Sequence, residues 1–465
     1  MSSLSRRSFL AASAGAATTP SLATTGALAA DTDIAIVGAG AAGIAAARRV
    51  QAAGRRCVVL EASDRIGGRC FTDTASFGVP IDRGAHWVHM PDINPVTRLA
   101  GPAGFDIYPV PPGQRMRIGR RYAREGEMED FLAAVVRANR AIGEAVRGGK
   151  PDISCAQALP KDLLDWRATV EFVLGPWGCA KDLAEVSAID FARSAERDVD
   201  SFCRQGFGAL IAKLGTGLPV QLASAVTRID LNVRTGVEIE TARGHVSARG
   251  VIVTVSTGVL AAAKIKVVPD LPKRQLDAVG NLKLGSYDRI MVELIGNPLG
   301  LDRDELVYEK ADGIRTAGLL ANVTGTPVAM IDVGGKFGRD LAAKGNAAMV
   351  AFATDWLAGL YGADIKKAIG RTGATQWNDE PWVLGAFSAA APGGQGARRI
   401  LMEPVQNSVW FAGEAVHETM WGTVGGAWES GERAADAVLR RLGPVKEPPP
   451  EASVSTKRKP PPRKL

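Results

Sequence analysis

The chain has 465 residues, 46% of them hydrophobic, and a formal net charge of +7. This is an ordinary globular composition with ample apolar content for a large core, and the length predicts two domains. The charge gives no evidence for a nucleic-acid surface on the core, and none is expected: the tail from Lys446 carries six basic and two acidic residues and the N-terminal stretch carries Arg6 and Arg7, which leaves +1 on the rest.

The first element is Ser5-Arg6-Arg7-Ser8-Phe9-Leu10, followed by a mildly apolar Ala/Thr/Ser stretch to Ala27-Leu28-Ala29. This pattern predicts a twin-arginine signal peptide over residues 1–29 and a periplasmic or secreted protein, exported already folded. The stretch contains Pro20 and is too polar for a stable membrane span.

Ile34-Ala35-Ile36-Val37-Gly38-Ala39-Gly40-Ala41-Ala42-Gly43 reads as a buried strand that runs into G-x-G-x-x-G and opens a helix. Gly38 allows the tight turn, Gly40 lets the backbone approach a pyrophosphate, and Gly43 lets helix and strand pack closely. A second strand, Cys57-Val58-Val59-Leu60, ends at Glu61, 23 residues after Gly38, about the spacing at which a carboxylate takes a ribose hydroxyl. Together they predict dinucleotide binding. Asp64-Arg65-Ile66-Gly67-Gly68-Arg69 comes next, with two glycines for an unusual loop and two arginines within reach of phosphate.

Arg83-Gly84-Ala85-His86-Trp87-Val88-His89 and Asn94-Pro95-Val96 follow. Phe131 to Arg147, Ala158 to Phe172 and Asp182 to Ala195 have helical periodicity. Val220 to Ile229 and Val237 to Glu240 read as short strands. Val251-Ile252-Val253-Thr254-Val255 is a β-branched run expected of a strand buried on both faces, leading into Ser256-Thr257-Gly258-Val259-Leu260. Arg289 to Leu294 reads as a strand of the second domain. Ser408 to Glu414 is a last strand ending in a glycine and an acid. Beyond it, Ala427, Ala434, Ala435, Val438 and Leu442 share one helical face, and Gly443-Pro444 stops the helix. Thr423 and Val424 stand at its Gly-rich start, where free N–H groups and partial positive charge favour an anion.

The five cysteines, Cys57, Cys70, Cys155, Cys179 and Cys203, show neither a zinc spacing nor a disulfide framework, and no metal site is expected. A Cys155–Cys179 bridge stays open in an exported chain. The tail from 443 to 465 reads as disordered, basic and Pro-rich.

The segment from Asp64 to Arg69, with Phe411-Ala412-Gly413-Glu414, Gly422-Thr423 and Ser430-Gly431-Glu432-Arg433-Ala434-Ala435, resembles the flavin monoamine and polyamine oxidase family over Ile34 to Leu439. The resemblance implies an α/β fold in which a FAD-binding Rossmann-like domain (31–88, 205–262 and 402–442) is interleaved with an α+β substrate-binding domain (89–204 and 263–401). It implies that Glu61 holds the adenosine ribose, Arg69 meets the pyrophosphate, the Val226 backbone meets the adenine and Glu414 meets the ribityl chain. His89 falls on a histidine of the amine channel, with His86 as its possible neighbour. Trp87 stands where L-amino acid oxidases carry a carboxylate-clamping arginine, which argues against that class. Phe387, after Trp377-Asn378-Asp379-Glu380-Pro381-Trp382, falls on one wall of an aromatic cage, and Thr423 on the other. Ala386 replaces a flavin-binding cysteine, so FAD is expected to be non-covalent. Arg289 stands where the family carries a lysine that assists oxygen, which leaves O2 or another acceptor open. The expected activity is FAD-dependent oxidation of an amine, with a polyamine or other secondary amine favoured. An amine dehydrogenase and a non-catalytic flavin-binding protein are the alternatives. The oligomeric state is not readable.

Overall fold

A computed structural model describes residues 32–194 and 199–444. The stretch read as a twin-arginine leader and the tail beyond Pro444 lie outside the described residues. Thr32–Val37 is the central strand, and the glycine motif turns it into the helix Ala41–Ala52. Parallel to it lie Cys57–Leu60 on one side and Gly244–Val253 on the other, within an eight-stranded sheet.

Gly244–Val253 is longer than the strand read from its β-branched run, and it ends before Thr254 and Val255 rather than including them. Its first half alternates buried and exposed residues, because there it pairs antiparallel with Val237–Thr241 in a half-solvated hairpin. Its last four residues are all buried, where it lies parallel to Thr32–Val37 and to Val409–Phe411. One strand thus joins two environments, and only the doubly buried half is a continuous apolar run. The sheet also takes Lys266–Val268, beyond the 262 boundary read for this domain.

The helix Val424–Leu442 packs beside Ala41–Ala52 on the sheet, burying Ala434, Ala435, Val438 and Leu442 against Ala42, Ala46 and Val50. The approach is close: a Cβ on Gly431 would stand 2.1 Å from the carbonyl oxygen of Ala42.

A second, seven-stranded sheet includes Arg115–Ile118, Tyr287–Leu294, Glu305–Glu309, Gly318–Ala321, Val328–Gly334 and Ile369–Ala374. Helix Asn346–Tyr361 covers one face through Phe352, Trp356 and Leu357. Alternation along Tyr287–Leu294 sends Ile290 and Val292 into that core and leaves Tyr287 and Arg289 to line a cavity against the first domain.

Helix Glu125–Ala145 continues the helical layer. The single helix expected over 158–172 is instead broken. Cys155–Ala158 stops before Pro160, a 3-10 segment runs over Lys161–Trp166, and a new helix begins at Arg167. Proline lacks an amide donor, and Leu164 takes a φ of 45° that no helix accepts. The periodicity was real all the same, since Leu159, Leu163 and Val170 enter one core. Asp182 to Ala195 is also divided, by Ser187, whose side chain caps Ala188–Arg193. A small sheet pairs Val88–His89 with Asp200–Cys203, and Asp200–Cys203 with Ile107–Pro109.

Candidate active site

One cavity of about 1140 Å³ runs between the two sheets. At one end it is lined by Gly38, Gly40, Glu61, Arg69 and Val226, and at the other by Trp87, His89, Phe387 and Thr423.

The first end is built largely from bare backbone. Gly38 has a φ of 100°, and a Cβ there would meet the Thr254 hydroxyl at 2.7 Å. A Cβ on Gly43 would lie 1.9 Å from the Gly38 carbonyl oxygen. At Gly40 the nearest atom to a Cβ would be 4.0 Å away, so that glycine keeps open a surface rather than relieving a clash. No side chain caps the helix that starts there. The Gly67-Gly68 loop lies alongside, with the Gly67 amide donating to the Ala39 carbonyl at 2.8 Å.

Glu61 is buried and accepts from the Ala39 amide at 2.6 Å and from the Ser63 amide and hydroxyl at 2.9 and 2.8 Å. Arg69 donates to Glu414 at 2.9 Å and to the Ala386 carbonyl. Glu414 also accepts from the Ser388 hydroxyl at 2.8 Å and the Gly422 amide at 3.0 Å, so it ties three distant segments together where they line the cavity. Thr423 caps the last helix: its hydroxyl accepts from the Gly426 amide at 3.0 Å and donates to the Met420 carbonyl at 2.7 Å. That hydroxyl is occupied, so Thr423 brings a short non-aromatic wall to the cavity rather than a free donor. Ser256, standing where the resembled family has proline, likewise caps the short helix Thr257–Ala261.

These features fit a flavin dinucleotide. The glycines leave a bare floor, a carboxylate stands beside it, and two helix starts present N–H groups to anionic groups. Alanine at 386 offers no covalent attachment.

At the other end, rings gather from five segments. Trp87 meets Trp177 at 6.2 Å, Trp177 meets Tyr308 at 5.3 Å and Tyr287 at 6.1 Å, and Tyr287 meets Phe387 at 5.9 Å. Phe387 lies over Gly422, where a Cβ would stand 3.0 Å from its ring. Trp177, Tyr287 and Tyr308 escaped the sequence reading. Tyr287 carried a signal, since it lies two residues before Arg289 and must share its face of the strand.

His89 is held at Nδ1, which donates to Asp200 Oδ1 at 2.7 Å. The two residues are direct cross-strand partners. This leaves Nε2 as the free nitrogen of the neutral ring. Asn94 caps helix Pro95–Ala103 through Val96 and donates to the His89 carbonyl at 3.1 Å, which fixes the histidine's backbone. Asp200 went unread, because no local pattern marks an acid that becomes a partner only across strands 111 residues apart.

His86 is 2% exposed, donates from Nδ1 to Asp82 at 2.9 Å and stacks on Phe202 at 4.6 Å. It is buried behind Trp87 rather than paired with His89. Burial is the largest influence on the Asp82 carboxyl and works to raise it, but His86, the Thr72 hydroxyl and the Phe207 amide together hold the group below the usual carboxylate range.

Arg289 is 4% exposed. Its Nε and Nη2 bond Asp332 at 2.8 and 2.9 Å, and Nη1 donates to the carbonyls of Asp82 and Gly84 at 2.8 and 3.0 Å. Burial opposes its charge, but Asp332, with smaller contributions from Tyr287 and Asp82, keeps the guanidinium firmly protonated. It lines the cavity as a locked cation.

All five cysteines are buried and none forms a disulfide, so Cys155 and Cys179 are not bridged. Among the described residues no cluster could hold a metal, and no helix is long and apolar enough to cross a membrane.

Comparison with known proteins gives the same reading. The chain is 26% identical over 490 residues to "Lysine-specific histone demethylase 1 homolog 3" of Arabidopsis thaliana, covering 87% of this chain but only 30% of that protein. It is 26% identical over 445 residues to "Polyamine oxidase 4" of Oryza sativa subsp. japonica, covering 88% of each. The structure of cyclohexylamine oxidase from Brevibacterium oxydans IH-35A superposes with a TM-score of 0.75 at 20% identity, covering 89% of this chain and 100% of that one, and so shares the fold. The family model for flavin containing amine oxidoreductases matches residues 41–439, from the helix that follows the glycine turn into the last turn of the terminal helix. With the flavin-type cradle and the aromatic chamber joined in one cavity, the chain belongs to the flavin containing amine oxidoreductase family.

Proposed function

We propose that the protein oxidises an amine to an imine, which water hydrolyses to a carbonyl compound and a smaller amine. The observation that carries this reading is the continuity of the cavity from Gly38, Glu61 and Val226 to His89 and Phe387. Bound FAD supplies the two-electron acceptor for the hydride that leaves the carbon next to nitrogen. Gly38, Gly40, Gly43, Glu61, Arg69, Val226, Glu414, Thr423 and Val424 would hold it. Phe387 and Trp87 are flat walls that shed water and orient the amine. Alkyl ammonium groups titrate at about pH 10, so most substrate arrives protonated and unreactive. His89 accepts that proton at Nε2, and Asp200, at 2.7 Å from Nδ1, orients the ring and balances the imidazolium.

Oxygen is the acceptor in this reading, with hydrogen peroxide as product. Arg289 favours a second reading, a dehydrogenase that passes electrons to another acceptor. Its donors are spent on Asp332, Asp82 and Gly84, and it holds no proton that can be released. One experiment addresses both. Flavin-loaded protein is mixed with amines without air, and the oxidised-flavin absorbance is followed; then air is admitted. Bleaching followed by rapid return of colour supports an oxidase. Bleaching with slow return supports the dehydrogenase. A bound flavin that no amine bleaches would overturn amine oxidation.

The leader motif Arg6-Arg7 supports export of the flavin-loaded chain to the periplasm or beyond. Recovery in that fraction, lost when both arginines become lysine, tests this.

A further inference from the structure

Helix Glu125–Ala145 carries two apolar stripes. Phe131, Ala134, Ala138 and Ile142 are buried in the core, as one amphipathic face requires. Met128, Leu132 and Val135, spaced by four and three residues, form a second stripe that lines the cavity. Leu132 is 45% exposed, and Val136 one turn on is 65% exposed, although nothing in the helix's own packing calls for leucine or valine there. Val110 and Pro111 line the same part of the cavity.

This apolar stretch has few charges. Among the described residues lining the cavity, Glu61, Arg65, Arg69, Lys264, Glu380 and Glu414 belong to the segments of the flavin end, and Arg83 and Arg289 are cations. The remaining titratable groups are His86, already bonded to Asp82, and Asp200 with its partner His89, whose side chains are 19% and 23% exposed. One carboxylate, already paired, serves one nitrogen. A polyamine would place a second ammonium among Met128, Leu132 and Val135, where burial strips its water and no described acid replaces it.

Resting on the amine oxidation proposed above, we propose that the substrate is a monoamine with an apolar body, alkyl or arylalkyl, whose tail lies along Met128, Leu132 and Val135. Each added methylene then strengthens binding roughly three- to fourfold until the stripe is covered.

The test uses the full flavin-loaded chain without air and compares hexylamine with hexamethylenediamine, which share a six-carbon chain and differ only in a terminal hydrogen against a terminal ammonium. Butylamine and octylamine give the chain-length series. The expected result is that hexylamine reduces the flavin with a higher rate-to-Kd ratio than the diamine, by roughly tenfold or more, and that affinity rises with chain length. A diamine that equals or beats hexylamine, with flavin still bleached, overturns the substrate class and leaves amine oxidation standing. No bleaching by any amine overturns both. In Leu132→Glu, at a position 45% exposed, the ratio should shift toward the diamine; an unchanged ratio overturns the assignment of this helix face to the tail.

Discussion

The two ends of the cavity are made in opposite ways. The flavin end is shaped largely by backbone: glycines at 38, 40 and 43 on one strand–helix turn, with Glu61 at the tip of the next strand. The amine end is shaped by side chains that no two neighbouring elements supply alone, with Trp177, Tyr287, Tyr308 and Phe387 coming from four separate segments. A backbone surface leaves no slack for an added carbon atom, whereas a side-chain chamber can be retuned one residue at a time. Cofactor identity should therefore be rigid and substrate choice adjustable.

The largest effect is expected at the flavin end. Gly43→Val would drive a Cβ to 1.9 Å from the Gly38 carbonyl oxygen, and the turn must open. The variant should be purified without flavin, read directly from the ratio of flavin to protein absorbance. A flavin-replete Gly43→Val would break the contrast between the two ends.

A smaller and different effect is expected at the amine end. Asp200→Asn keeps an oxygen for His89 Nδ1 but removes the charge that balances the imidazolium. Flavin content should be unchanged, and the rate of flavin reduction should fall on the order of tenfold to a hundredfold. If flavin is lost as well, the two ends are not independent.

The smallest effect lies behind the chamber wall. Asp288 shares a strand with Tyr287 and Arg289 but points away from the cavity, accepting from the Trp377 amide at 2.8 Å and the Thr375 hydroxyl at 2.9 Å. Burial pushes its carboxyl up to about 6 from an ordinary 3.8, against those two bonds. The fold thus favours the protonated acid. Its contribution is complete below about pH 4 and is lost as pH rises through 6, by about 3 kcal/mol at most. Asp288→Asn, neutral throughout, should lose that part of the pH dependence of Tm between pH 4 and 6 while leaving flavin reduction intact. A Tm profile that still matches the parent would show that Asp288 is ionised across the range.

The same contrast explains what was legible beforehand. The glycine turn, Glu61 and the terminal helix were readable because each is a local pattern: a residue type that its own backbone position or helical spacing demands. Gly244–Val253 was half readable, since only its doubly buried end forms a continuous apolar run. The stretch from Ala158 to Phe172 misled because apolar spacing persists across a chain break at Pro160, all of it serving one core. Thr423, expected as a cage wall, does line the cavity, and the structure adds that its hydroxyl caps the helix beside it.

By itself, then, the sequence determined a dinucleotide cradle, because strand period, glycine geometry and helix ends are encoded within a few residues of where they act, while the interleaved two-domain plan and the flavin amine oxidoreductase family were legible only through the resemblance of its motifs to that family. Only the tertiary structure decided that Asp200 holds His89, that Asp332 locks Arg289, and that a second stripe on Glu125–Ala145 faces the chamber. Each of these joins residues tens to more than a hundred positions apart, and such pairings exist only once strands and helices have settled into register.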